Sequence, residues 1–251
     1  MTEPQNTAPS HAPSSAEPTE PFVRWSRPEA DRAGTHLLVV LHGYGADEND
    51  LFGIVPELPA KFTIASVRAP LVMDHGGYTW FPLTNSLQSS PLAVRAAIED
   101  LQEWVAAQRP DFASTSLLGF SMGMAMATSL LRREPEAYAC VVGLSGFAVD
   151  PSMTPGADAA GPADGVVPSE VSAGGPLAGF FDDEAVKAVK PKVFWGRDQA
   201  DPVITQDKVE YTHAWMNEHV DMTKVLYAGI GHGIGPQELR HVGEFLDYTV
   251  K

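Results

Sequence analysis

Residues Gly119-Phe120-Ser121-Met122-Gly123 place a serine between two glycines. They follow the apolar run Ser116-Leu117-Leu118 and precede a helix-like stretch that begins at Met124. A strand–turn–helix junction of this form is a nucleophile elbow: the turn holds the serine in a strained backbone conformation and lifts its hydroxyl clear of the sheet. Glycine two positions to either side removes the side chains that would collide there. A G-x-S-x-G pentapeptide alone is also an ordinary glycine turn with a solvated serine. The flanking strand and helix distinguish the two.

A serine hydroxyl is a weak nucleophile at neutral pH and needs a general base, itself oriented by a carboxylate. The chain has eight histidines. His11 falls in the N-terminal tail, His36 opens a strand, and His213 and His219 belong to an amphipathic helix. His232, in Gly229-Ile230-Gly231-His232-Gly233, comes after the last strand and before the terminal helix, a junction that a parallel sheet puts at the carboxyl edge where the elbow presents Ser121. His232 is therefore the expected base. The acid should follow a strand at the same edge, and Trp195-Gly196-Arg197-Asp198-Gln199-Ala200-Asp201-Pro202-Val203 offers Asp198 and Asp201. Asp201 is preferred because Pro202 and Val203 can stiffen its turn, whereas Asp198 beside Arg197 also reads as a solvated loop residue. The chain order Ser121, Asp201, His232 is that of α/β hydrolases.

Two backbone N–H groups must face the oxygen that gains charge. Met122 follows the nucleophile at a helix N-terminus, where the helix dipole favours an anion. Tyr44, in Leu41-His42-Gly43-Tyr44-Gly45 after an early strand, is the expected second donor.

The elements that must carry these residues alternate. Short apolar runs at 22–26, 36–41, 62–67, 116–120, 140–144, 192–195 and 224–227 read as buried strands, separated by helical stretches at 47–58, 91–108, 124–133, 182–189, 205–218 and 236–250. This pattern predicts an α/β fold with a mainly parallel central sheet and helices on both faces. Residues 150–179, rich in Pro, Gly, Ala and Ser, read as a long irregular loop. Residues 1–21 read as a disordered acidic tail lacking the basic and apolar regions of a secretory signal, leaving 22–251 as a single domain.

Composition excludes whole classes of function. With 251 residues and 44% hydrophobic content the chain can bury one full core. A formal charge of −15 opposes any nucleic-acid partner. No run approaches the roughly 18 apolar residues of a membrane span, so a cytoplasmic protein is expected. The single cysteine, Cys140, lies in an apolar run, which suits a buried, inert thiol and leaves no disulfide framework or cysteine metal site.

Taken together, five ordered motifs resemble the phospholipase/carboxylesterase family of α/β hydrolases, which includes bacterial carboxylesterases and acyl-protein thioesterases. They run from Leu41-His42-Gly43-Tyr44-Gly45-Ala46-Asp47 through Gly119-Phe120-Ser121-Met122-Gly123, Gly143-Leu144-Ser145-Gly146-Phe147 and Asp201-Pro202-Val203-Ile204 to Gly231-His232. The resemblance implies Ser121 as nucleophile, Asp201 as acid, His232 as base, and the Tyr44 and Met122 amides as oxyanion hole. It also implies Trp80 and Phe81 near the substrate pocket, although adjacent aromatics equally suit a core. The residue after the nucleophile is commonly glutamine in the family and is Met122 here; only its amide is needed. The expected activity is hydrolysis of short to medium acyl or aryl esters through an acyl-enzyme, with a small-molecule ester as partner, no cofactor, no metal, and room for a homodimer. Leu177 to Phe181 are expected to add apolar surface near the site. The same triad would serve lysophospholipids or acyl-thioesters. A dienelactone hydrolase would carry cysteine at the elbow, and a catalytically silent binding protein would have no need of all three triad residues.

Overall fold

A computed structural model describes residues 20–83, 89–152 and 177–251. Residues 1–19 of the expected tail and 153–176 of the expected loop lie outside the described residues. In chain order the strands and helices are β1 (Val23–Trp25), β2 (His36–Leu41), β3 (Phe62–Val67), β4 (Leu71–Val72), β5 (Tyr78–Thr79), α1 (Pro91–Gln108), β6 (Ser114–Phe120), α2 (Met122–Arg133), β7 (Val141–Leu144), α3 (Asp183–Val189), β8 (Lys192–Asp198), α4 (Gln206–His219), β9 (Asp221–Tyr227) and α5 (Pro236–Thr249). Seven strands form one sheet in the order β1-β3-β2-β6-β7-β8-β9. Within this sheet, among the described residues, only β1 runs antiparallel to its neighbour; the other pairings are parallel.

The central strands are apolar along both faces because both are covered. Leu37, Val39 and Leu41 of β2 join a core with α1, α2, α3 and α4, while Leu38 and Val40 point into a second core with α5. Helix α2 sits in the middle of the first core and is buried along nearly its whole length, consistent with its apolar and small residues on every side. Cys140 is also fully buried, and burial pushes its thiol up to about 11.

Several boundaries differ from the expectation. The helix expected over 47–58 is a 3-10 helix confined to Leu51–Glu57. Asp47 Oδ1 accepts the Asn49 N–H at 2.8 Å, which favours a turn before it, and Pro56 within it lacks the N–H that an α-helical ladder needs. Strands β6, β8 and β9 are longer than their apolar runs, since sheet pairing carries polar residues along. The two-residue strands β4 and β5 form a hairpin too short to leave a periodic signal.

Register places the functional loops. Leu41 pairs with Gly119, Phe120 with Leu144, Leu144 with Gly196, and Asp198 with Tyr227. The turns after β2, β6, β7, β8 and β9 therefore leave the same carboxyl edge, the edge where open α/β sheets bind ligands.

Candidate active site

The turn between β6 and α2 holds Ser121 at φ 54° and ψ −117°, a conformation costing a non-glycine residue about 1–3 kcal/mol. Close packing enforces it. A methyl group at Gly119 would overlap the Gly123 carbonyl, and one at Gly123 would overlap the Leu41 carbonyl. A Cβ at Gly146 would lie 2.5 Å from the Ser121 carbonyl oxygen, and one at Gly143 2.6 Å from Met124 Sδ. Strand ends and helix thus meet backbone to backbone, and the Ser121 N–H joins the Leu144 carbonyl at 2.9 Å.

His232 Nε2 lies 3.0 Å from Ser121 Oγ, and its Nδ1 lies 2.9 Å from Asp201 Oδ2. A carboxylate at Nδ1 assigns the ring proton there, leaving Nε2 to accept from the serine hydroxyl. The Asp201 side chain is fully buried, His232 keeps 19% exposure and Ser121 8%. The other Asp201 oxygen accepts the N–H groups of Val203 at 2.8 Å and Ile204 at 3.3 Å, so its own turn orients the carboxylate. The Phe120 ring packs beside the His232 imidazole, with the ring centroids 5.1 Å apart.

Asp198 is not a solvated loop residue. It is 2% exposed and accepts three backbone N–H bonds, from Ala200, Ile230 and Gly231. Those amides hold its carboxyl below the usual range. Of the two aspartates considered, Asp201 reaches His232.

The loop after β2 is locked to its surroundings. His42 is fully buried; its Nε2 accepts the Ala69 N–H at 3.0 Å, so the proton on Nδ1 is donated to the Gly43 carbonyl at 2.7 Å. Burial lowers its basicity and keeps it neutral. Among the described residues no peptide bond is cis, so holding the Gly43 carbonyl also aims the Tyr44 N–H in the opposite direction. Gly43 itself touches the elbow, since a Cβ there would lie 3.4 Å from Ser121 Cβ. The Tyr44 N–H donates to no protein acceptor among the described residues, and Met122, the first residue of α2, has no intrahelical acceptor for its own. Further along, Glu48 takes a bidentate ion pair from Arg68 at 2.5 and 2.8 Å, which holds its carboxyl low. Gly45 and Ala46 pair with Tyr78 on the small hairpin.

Trp80 and Phe81 are buried to 2% and 3% exposure. Trp80 Nε1 donates to the His42 carbonyl at 2.9 Å, so this ring braces the locked loop. Phe180 and Phe181 correct an expectation. They pack on Arg133 and Arg132 at the far end of α2, a helix of 12 residues rising about 1.5 Å per residue, and so lie well away from Ser121.

Reading the sequence alone misses the structural roles of His42, Ser145 and Arg68. Ser145 follows β7 as Ser121 follows β6, and the Gly143-Leu144-Ser145-Gly146 repeat of the glycine–serine pattern is the signal that could have exposed it. It too has positive φ, 43°. Among the described residues no three His, Cys, Asp or Glu side chains are disposed to hold a metal, and no helix is long and apolar enough to cross a membrane.

A profile of the phospholipase/carboxylesterase family matches residues 28–164. Among solved structures, esterase PE8 is 26% identical, with a TM-score of 0.61 over 87% of this chain and 94% of that one. The Bacillus cereus carboxylesterase is 17% identical, with a TM-score of 0.66 over 92% and 95%. SOBER1 from Arabidopsis thaliana is 16% identical, with a TM-score of 0.64 over 87% and 100%.

Proposed function

The chain belongs to the phospholipase/carboxylesterase family of α/β hydrolases and is a serine hydrolase of the esterase kind; from that premise we propose that Ser121, Asp201 and His232 are its catalytic triad. The observation that carries the proposal is the pair of contacts made by one imidazole, 3.0 Å to Ser121 Oγ and 2.9 Å to Asp201 Oδ2. His232 takes the hydroxyl proton as Oγ attacks an ester carbonyl. The developing oxyanion is met by the Tyr44 and Met122 N–H groups, the first aimed by His42 and the second backed by the α2 dipole. His232 then gives its proton to the departing alcohol, leaving an acyl-serine. Water attacks that ester, His232 takes a proton from it, and the acid leaves as Ser121 regains its hydrogen. The chemistry requires no cofactor.

The substrates we propose are neutral esters with short to medium acyl or aryl groups. Tyr44 and Val203, exposed beside the oxyanion donor and the acid, offer apolar contacts, while Trp80 and Phe81 are buried in the core, Trp80 bracing the loop that carries Tyr44. A formal charge of −15 raises the cost of bringing a phosphate-bearing lysophospholipid or coenzyme thioester to this edge. We place the protein in the cytoplasm, with residues 22–251 as one domain.

The test is kcat/KM on p-nitrophenyl esters of increasing acyl length, a lysophospholipid and an acyl-thioester, using wild type, Ser121→Ala, Asp201→Asn and His232→Ala, each checked for folding by circular dichroism. Loss of about 10³-fold or more in Ser121→Ala and His232→Ala is expected. Retention of most activity by folded Ser121→Ala would refute the mechanism; a preference for the lysophospholipid would refute the substrate class.

A further inference from the structure

His232 hangs from a loop with two residues of positive φ, Gly229 at 80° and Gly231 at 59°. Such a stretch has many backbone states open to it, yet catalysis needs the imidazole fixed to within a fraction of an ångström. The Asp201 carboxylate orients the ring but leaves the backbone that carries it free, and the contact with Ser121 has to loosen and re-form as protons are exchanged.

The loop is gripped from outside on both flanks of His232. Before it, Asp198 Oδ2 accepts the N–H groups of Ile230 at 2.6 Å and Gly231 at 2.9 Å. After it, the Ser145 hydroxyl donates to the Gly233 carbonyl at 3.1 Å. Both anchors are rigid: Ser145 is fully buried with its N–H on the Gly196 carbonyl at 2.8 Å, and Asp198 is the last residue of β8. The other Asp198 oxygen accepts the Ala200 N–H at 2.7 Å, one residue before Asp201. A single carboxylate therefore spans the loop that bears the acid and the loop that bears the base.

Resting on the triad reading above, we propose that Asp198, assisted by Ser145, is the positioning residue of the proton relay, setting where His232 stands relative to Asp201 and Ser121 without touching substrate. The role calls for a carboxylate. Two acceptor oxygens serve the two loops, whereas asparagine has one oxygen and turns its NH₂ toward N–H groups on the other side.

The experiment uses the full chain with Asp198→Ala, Asp198→Asn, Ser145→Ala and Ser121→Ala. It measures kcat, KM, the rate of covalent labelling by a fluorophosphonate, and the thermal melt. Asp198→Ala should lower kcat by about 10²-fold with KM within about threefold, and slow labelling in parallel, because a slack base activates Ser121 poorly toward either electrophile. Asp198→Asn should recover part of this loss, and Ser145→Ala should cost about tenfold. A lowered melting temperature with kcat and labelling unchanged at a temperature where the variants are folded would overturn the proposal. If Asp198→Ala does not fold, unchanged kcat in both Asp198→Asn and Ser145→Ala overturns it equally. Activity surviving in Ser121→Ala would instead mean that the triad reading had failed, an outcome separate from the positioning role.

Discussion

Replacing Glu238 by glutamine should make the protein more stable at alkaline pH and leave it little changed in acid. Glu238 sits in the first turn of α5, fully buried. Its Oε2 accepts the Gly235 N–H at 3.3 Å, and Oε1 has no hydrogen-bond partner among the described residues. It lies so flat on the bare backbone of β8 that a methyl group at Gly196 would overlap Oε1. Burial pushes this carboxyl up from an ordinary 4.5 to about 7. The folded chain therefore holds the proton more tightly than the unfolded one. Between those two pH values the native state binds more protons, and stability falls as pH rises through the interval, with the full cost present above about 7. At about 1.4 kcal/mol per tenfold change in proton affinity, the displacement bounds that cost at about 3–4 kcal/mol. Glutamine never ionises and keeps an oxygen for the Gly235 N–H. Urea unfolding at pH 5, 6, 7 and 8.5 should show the Glu238→Gln advantage growing toward that bound at pH 8.5 and shrinking below about 1 kcal/mol at pH 5. Tyr227, 2.9 Å from His241, is pushed up to about 12 by burial and by the Glu238 charge, so its hydroxyl stays protonated across this range in both chains. A difference that stays flat with pH would refute the reasoning.

Other perturbations test other parts of the scaffold. Gly123→Ala drives a methyl group into the Leu41 carbonyl and toward that of His42; thermal melts should show a loss of about 1–3 kcal/mol, and kcat should fall because the loop carrying Tyr44 must move. Arg132→Met removes a fully buried guanidinium that bonds Asp183 at 2.6 and 2.7 Å and the Val149 carbonyl at 2.5 Å. Denaturant titration should show about 3–5 kcal/mol lost, with KM for a small ester unchanged in the fraction that folds. The Cys140 thiol, buried and pushed up to about 11, should ignore a disulfide reagent in native buffer and react at once in denaturant; rapid native reaction would contradict its placement.

The sheet and the elbow are legible in the sequence because burial and strain leave local marks. Strands covered on both faces read as apolar runs, and a serine that must adopt φ 54° is announced by the glycines that make room for it. His232 is legible for a topological reason, since a residue between the last strand and last helix of a parallel sheet can only lie at one edge. Asp198 and Asp201 are harder. Both are carboxylates on one turn, and what separates them is which meets an imidazole and which meets backbone N–H groups from another loop, a fact of the folded backbone. The same is true of His42, whose partners Ala69 and Trp80 come from elsewhere in the chain. The 3-10 helix at Leu51–Glu57 is misread as an α-helix because its apolar spacing suits either, and Pro56 with the preceding Asx turn decides.

The bare-backbone packing of Gly119, Gly123 and Gly146 around the elbow also bears on how such a protein can change. Each position lacks room for a single added carbon, so nearly every substitution there is closed to evolution and to the engineer alike. Variation in what this edge accepts has to enter from the rim, through exposed side chains such as Tyr44, Leu71, Val72 and Val203. A library aimed at altered specificity is best spent on those positions, where exchanges leave the junction beneath them untouched.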